Sequence, residues 1–182
     1  MNHVSRPVFA PALCSLFLTA CNSTPERANP AKETANVDQS PIIQMQLPST
    51  HRGSWAGSNH LWITDPANPF QSDGSLEISE RVISYSWSHE GRSHSGTLDL
   101  KGQPAAMTAT WSDSFHATDP FILHGFFDSN LVRLFTTYNA GDATWGWQVE
   151  LDFRDPEACT LRMFNVVPGL GPVPAVSLQG VR

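Results

Sequence analysis

Asp113, Ser114 and His116 are the residue types of a nucleophilic relay, gathered within one short segment. In such a relay a carboxylate orients an imidazole, and the imidazole takes the proton of a hydroxyl as that hydroxyl attacks. The spacing argues against it here. Side chains on an extended strand alternate between faces, so Ser114 and His116 share one side while Asp113 takes the other. The chain also has no Gly-x-Ser-x-Gly turn to present a serine. Asp113 and His116 read instead as polar groups at a rim, organising a loop over 116–120 in which Asp119-Pro120 begins a turn.

The histidines beyond the first twenty residues are His51, His60, His89, His94, His116 and His124. His89 and His94 flank one hairpin turn, and His116 and His124 flank a second segment. Two such pairs meeting at one end of a barrel would have the neutral imidazoles to hold zinc or haem. No His-x-x-x-His, Cys-x-x-Cys or His-Glu-x-x-His pattern accompanies them, so the expectation is structural or surface histidines, no metal and no cofactor. Paired acids for glycoside cleavage and glycine loops for phosphate are not recognisable either. Cys159 opens Cys159-Thr160-Leu161-Arg162-Met163 and reads as a small buried hydrophobe at the start of a strand.

A different chemistry is written near the start. Arg6 precedes an apolar run from Val8 that ends in Leu18-Thr19-Ala20-Cys21, the pattern of a bacterial lipoprotein signal. The expected events are removal of residues 1–20 and lipidation of Cys21. The acyl chains then hold the protein at a membrane at about 0.8 kcal/mol per buried methylene. Asn22, rather than Asp, follows the cysteine and directs the expectation to the periplasmic face of the outer membrane. Residues 21–47 are rich in Ser, Thr, Pro, Ala, Asn and Gln and lack aromatics, so they read as a flexible tether, with Ile42-Ile43 as a segment able to dock. Seventeen acidic against eleven basic side chains give a formal charge of −6, which excludes nucleic acid as a partner.

The positioning elements follow from the folded part, 48–182. Trp145, Trp147, Val149, Leu151 and Phe153 alternate with Gly146, Gln148, Glu150, Asp152 and Arg154, as an antiparallel strand with one buried face requires. Ile83, Tyr85, Trp87 and His89 alternate with polar residues in the same way. Further strands are predicted over 93–101, 105–114, 121–128, 130–138, 160–167 and 174–182, after a first one at 53–57. Short polar turns at 89–92, 128–130 and 139–142 make consecutive strands hairpin neighbours. The predicted fold is therefore all-β, an antiparallel up-and-down barrel of about eight to ten strands that closes to remove its edges. Loops over 65–74 and 116–120 are the candidates for its mouth.

Gly53-Ser54-Trp55 at the first strand and Arg182 at the end of the last resemble the calycin superfamily of lipocalin-like and fatty-acid-binding-protein-like barrels. There a Gly-x-Trp packs beneath an arginine and closes one end. Thr110–His116, Trp145-Gly146-Trp147, and 163–168 with 174–176 look like segments of bacterial lipoprotein domains for which the same barrel is assigned. The resemblance covers about Gly53 to Arg182 and implies a fold and the closure residues Gly53, Trp55 and Arg182, without implying an activity.

Inside such a barrel, Tyr85, Trp87, Trp111, Trp145 and Trp147 either fill the interior as core or line a cavity. Asp113, His116 and His124 are the polar groups at its mouth. The leading expectation is a non-enzymatic barrel that binds a small hydrophobic or amphipathic ligand. A periplasmic protein is the alternative partner, with the chain as an inhibitor or immunity lipoprotein against a wall-degrading enzyme. An enzyme using the region from Asp113 to His124 is the third reading.

Overall fold

Residues 44–63 and 65–182 are described by a computed structural model. Cys21, the signal, Ile42-Ile43 and most of the tether lie outside these residues.

Ten antiparallel strands run along the described residues: β1 (Gly53–Leu61), β2 (Phe70–Ile78), β3 (Val82–His89), β4 (Arg92–Gln103), β5 (Ala106–Asp113), β6 (Ala117–Asp128), β7 (Leu131–Ala140), β8 (Ala143–Asp152), β9 (Ala158–Val167) and β10 (Gly171–Val181). Each pairs with the next, and β10 returns to β1, so the sheet is a closed barrel. Alternation places one face of every strand inward. On β8, Trp147, Val149 and Leu151 are buried with Phe153 just beyond, and on β3 Ile83, Tyr85 and Trp87 are buried. The hairpin turns take left-handed backbone at Glu90-Gly91 and Ser129-Asn130, the signature of tight primed turns.

Two stretches differ from the sequence expectation. β2 occupies much of the segment read as a mouth loop over 65–74. Its inward positions begin with Ser72 and Gly74, so apolar alternation starts only at Leu76 and Ile78. At Gly74 the space is tight, because a Cβ would stand 3.1 Å from Leu178 and 3.2 Å from Asn59. β6 begins at Ala117, inside the segment read as a loop over 116–120. Pro120 is tolerated because this half of β6 pairs with β5 alone. β6 meets β7 only from His124↔Phe135 down to Asp128↔Leu131. Toward the mouth the two strands part.

One end of the barrel is plugged. Trp55 is buried there with its Nε1 donating to the His51 carbonyl at 2.8 Å, and the Arg182 guanidinium lies 4.1 Å from the centre of its ring. Arg182 also donates to the carbonyls of Thr50, at 3.0 Å, and Arg52. Gly53 begins β1 at φ +112°, a backbone that favours glycine. His51 stacks on Trp55 at 5.6 Å and donates from Nε2 to the Asp155 carbonyl, 2.9 Å away. The last residues assigned to the tether are part of this floor. Met45 and Leu47 are each 1% exposed, and their amides bond to Gly102 and Glu80 carbonyls at 2.8 and 2.9 Å. Two apolar side chains separated by one residue are enough to extend a strand-like contact, and the polar composition around them hides it.

Candidate functional site

The opposite end carries the aromatic residues. Trp111 on β5, Phe121 on β6, Thr136 and Tyr138 on β7, Trp147 on β8, Asn165 on β9 and His116 from the β5–β6 turn surround a cavity of about 130 Å³. Trp111 stacks between two rings, 5.1 Å from Trp147 and 6.0 Å from Phe121. His116 tilts against Trp147 at 5.4 Å. The cavity lies where β6 and β7 diverge, which is why these two strands give it Phe121, Thr136 and Tyr138. Gly125 permits the divergence. It sits opposite Leu134, where the strands approach so closely that a Cβ would fall 1.8 Å from the Arg133 carbonyl oxygen.

Asp113 organises the polar side of this site from beneath. It is 3% exposed, and its Oδ2 accepts the Tyr85 hydroxyl at 2.8 Å. Oδ1 accepts the backbone N–H groups of Phe115 at 2.8 Å and His116 at 2.9 Å, and lies 3.2 Å from His116 Nδ1. Trp111 Nε1 donates in turn to the Tyr85 oxygen at 2.6 Å. Burial works to raise the Asp113 carboxyl. The hydrogen bond and charge of His116, with the two backbone donors, outweigh it and hold the group below the usual aspartate value. Burial, then the neighbouring carboxylate, pushes the Tyr85 hydroxyl well above its usual range, so Tyr85 is a neutral donor.

This corrects the alternation argument, which set Asp113 and His116 on opposite sides. β5 ends at Asp113, and the carboxylate caps a turn that folds His116 back over the interior. Asp113 is accordingly buried rather than at the rim. Ser114 does not complete a relay: its exposed hydroxyl accepts the Ser95 amide at 2.9 Å.

The other assigned residues divide. Tyr85 lies behind the cavity wall, and Trp87 stacks on it at 5.6 Å and on His94 at 5.6 Å. Trp145 is half-buried in a neighbouring mouth groove of about 300 Å³ with Trp62, Ile63, Val167, Leu170 and Val173, and Asn165 lines both spaces. His124 is a correction. It alternates with buried Leu123 and stands exposed on the outer wall, so it takes no part in the site. Three histidines pack on one ring: His89, His94 and His116 lie 5.7, 4.9 and 4.8 Å from Phe115 between centroids. Among the described residues, no group of three or more His, Cys, Asp or Glu is arranged to hold a metal ion. Cys159 is fully buried, and burial, with a smaller push from Asp152, raises its thiol to about 12.

Phe121, Thr136, Tyr138 and Asn165 were not singled out by sequence. The signal was parity: Thr136 and Tyr138 continue the inward row of Val132 and Leu134, and Asn165 continues Leu161 and Met163. Several polar atoms of this half have no partner among the described residues. They are the Trp147 and Trp87 indole nitrogens, both amide atoms of Asn59, and the Ser72 hydroxyl opposite Asn59. Comparison of the chain with protein-family models and with curated proteins finds no match.

Proposed function

We propose that this barrel, calycin-like in its meander and in the Trp55–Arg182 floor, binds a small hydrophobic or amphipathic ligand without turning it over. The observation that carries the reading is the cavity itself: four aromatic side chains and one imidazole around about 130 Å³, at the end of the barrel away from the plug. Ligand sites of this kind combine apolar walls with few polar groups that fix orientation. A cavity of about 150 Å³ with apolar walls takes benzene, which sets the scale of what enters here. The mouth groove beyond Asn165 gives room for an apolar extension. In this proposal Cys21 carries the acyl anchor at the outer membrane, facing the periplasm.

Native mass spectrometry of the full chain carrying Cys21→Ser, purified from cells and exposed to a library of small aromatics, tests binding; a protein that retains none of them refutes it. Fractionation of cells expressing the unaltered chain tests the anchor: the protein is expected with the outer membrane, and the Cys21→Ser form in the soluble fraction.

A second reading, the protein partner, draws on the outer wall. Ile122, Phe126 and Phe135 are 50%, 42% and 44% exposed beside the β6–β7 seam. An apolar cluster of this kind on a sheet face suits a docking protein.

A further inference from the structure

We propose that the mouth of the barrel docks on a lipid surface of zero net charge, with Ile63 and Leu170 entering its apolar zone. This interaction surface is separate from the aromatic cavity, and it takes from the anchor proposed at Cys21 only the reach of the chain.

The two ends of the barrel differ in what they expose. The mouth connectors are 62–69, 90–91, 114–116, 141–142 and 168–170. Leu170 is 78% exposed in the β9–β10 turn, and Ile63 after β1, Phe70 at the start of β2 and Phe115 in the β5–β6 turn are exposed beside it at the same end. They fall into two runs. Ile63 and Leu170 share the groove of about 300 Å³ with Trp62 and Trp145, while Phe70 meets His89 at 4.8 Å and His89 meets Phe115 at 5.7 Å. Indole rings beside aliphatic tips are the composition of a membrane-interface belt. At the floor the connectors present Glu80, Arg81, Arg154, Asp155 and Glu157 to solvent instead. The remaining large exposed hydrophobics are Val181 at the floor and the three on the β6–β7 wall.

Charge and reach select the occupant. The mouth connectors contain Asp65, Glu90 and Asp142 and no Lys or Arg, so an anionic surface repels this end and a zwitterionic one does not. Residues 22–43 span at most about 75 Å when extended. The barrel, with strands such as β8 of 10 residues, is about 30 Å tall. The chain therefore enters at the floor, through Met45 and Leu47, and is still long enough for the opposite end to meet the membrane that holds Cys21. Asn165 lines both the groove and the aromatic cavity, so docking sets the cavity beside the lipid.

The test is co-sedimentation with phosphatidylcholine vesicles and with vesicles enriched in phosphatidylglycerol. The chain from Asn22 to Arg182 serves, because it keeps every strand of the closed barrel and lacks the apolar run and Cys21, which would bind lipid by themselves. It is expected to bind phosphatidylcholine, and to bind the anionic vesicles more weakly. Leu170→Ser is expected to weaken binding about tenfold and Ile63→Ser about fivefold. Phe126→Ser removes an apolar side chain from the wall and is expected to change nothing. Leu170 and Ile63 stand out in solvent, so neither substitution empties the core. Absence of binding to either vesicle, tighter binding to the anionic one, or equal losses in Leu170→Ser and Phe126→Ser overturns the proposal. A dimer in solution that Leu170→Ser dissociates also overturns it, assigning the mouth to a second copy. None of these results bears on small aromatics in the cavity or on fractionation with the membrane, which test the other two readings.

Discussion

Replacing Asp113 tests the mouth architecture most directly. In Asp113→Ala, the Tyr85 hydroxyl and the backbone N–H groups of Phe115 and His116 lose their acceptor together. Tyr85 is 3% exposed, so its hydroxyl is stranded without water and carries the full penalty of about 1–3 kcal/mol. The two N–H groups lie in a turn that reaches solvent and recover part of their loss. The whole change is about 3–5 kcal/mol, the range for breaking one side of a buried charged contact. Domains of this kind have about 5–15 kcal/mol to lose, so the variant stays folded but its urea midpoint falls well below that of the parent. Asp113→Asn keeps one oxygen acceptor and is expected to lose roughly half as much. The pH dependence has a definite sign. A carboxyl whose folded value is depressed contributes stability that is present above its unfolded value of about 3.9 and is lost as pH falls through the folded value. Urea unfolding followed by tryptophan emission, from pH 7 down to pH 3, is expected to show this acid loss in the parent and less of it in Asp113→Asn. A loss below about 1 kcal/mol in Asp113→Ala, with the acid slope unchanged, refutes the network.

Further substitutions probe the floor and the seam. Arg182→Ala removes a guanidinium stacked on Trp55 and its two carbonyl contacts, for an expected loss of about 1–2 kcal/mol, with Arg182→Lys between it and the parent. Trp55→Ala empties the floor and is expected to cost about 3–5 kcal/mol; thermal unfolding ranks the three. Gly125→Ala forces a Cβ against the Arg133 carbonyl and is expected to cost about 3 kcal/mol, whereas a loss under 1 kcal/mol by the same measurement contradicts the close approach of β6 and β7.

What the sequence made legible followed the hydrophobic period. β3 and β8 announce themselves because Ile83, Tyr85 and Trp87 on one and Trp145, Trp147, Val149 and Leu151 on the other form large inward rows, and the tight turns name their own chemistry. β2 is silent because its inward Ser72 and Gly74 are small, and at Gly74 the neighbour that crowds the position is Leu178, on a strand about a hundred residues away. The site was half legible. Trp111, Trp147 and His116 were reached by residue type and face. Thr136 and Asn165 are ordinary polar residues that become cavity wall only once β6 and β7 part. His124 went wrong because nothing local shows that its strand turns that face outward. His116 was misplaced because strict alternation holds only while the strand continues, and the Asp113 carboxylate caps the turn that ends it.

The packing of Met45 and Leu47 settles how a pull on this molecule is shared. Force arriving along the chain from before residue 44 is delivered to two buried side chains and to amides clasped by Gly102 and Glu80. That is the stoppered end, so traction loads the bottom of the cask and leaves its lip, with His116 and Tyr138, unburdened.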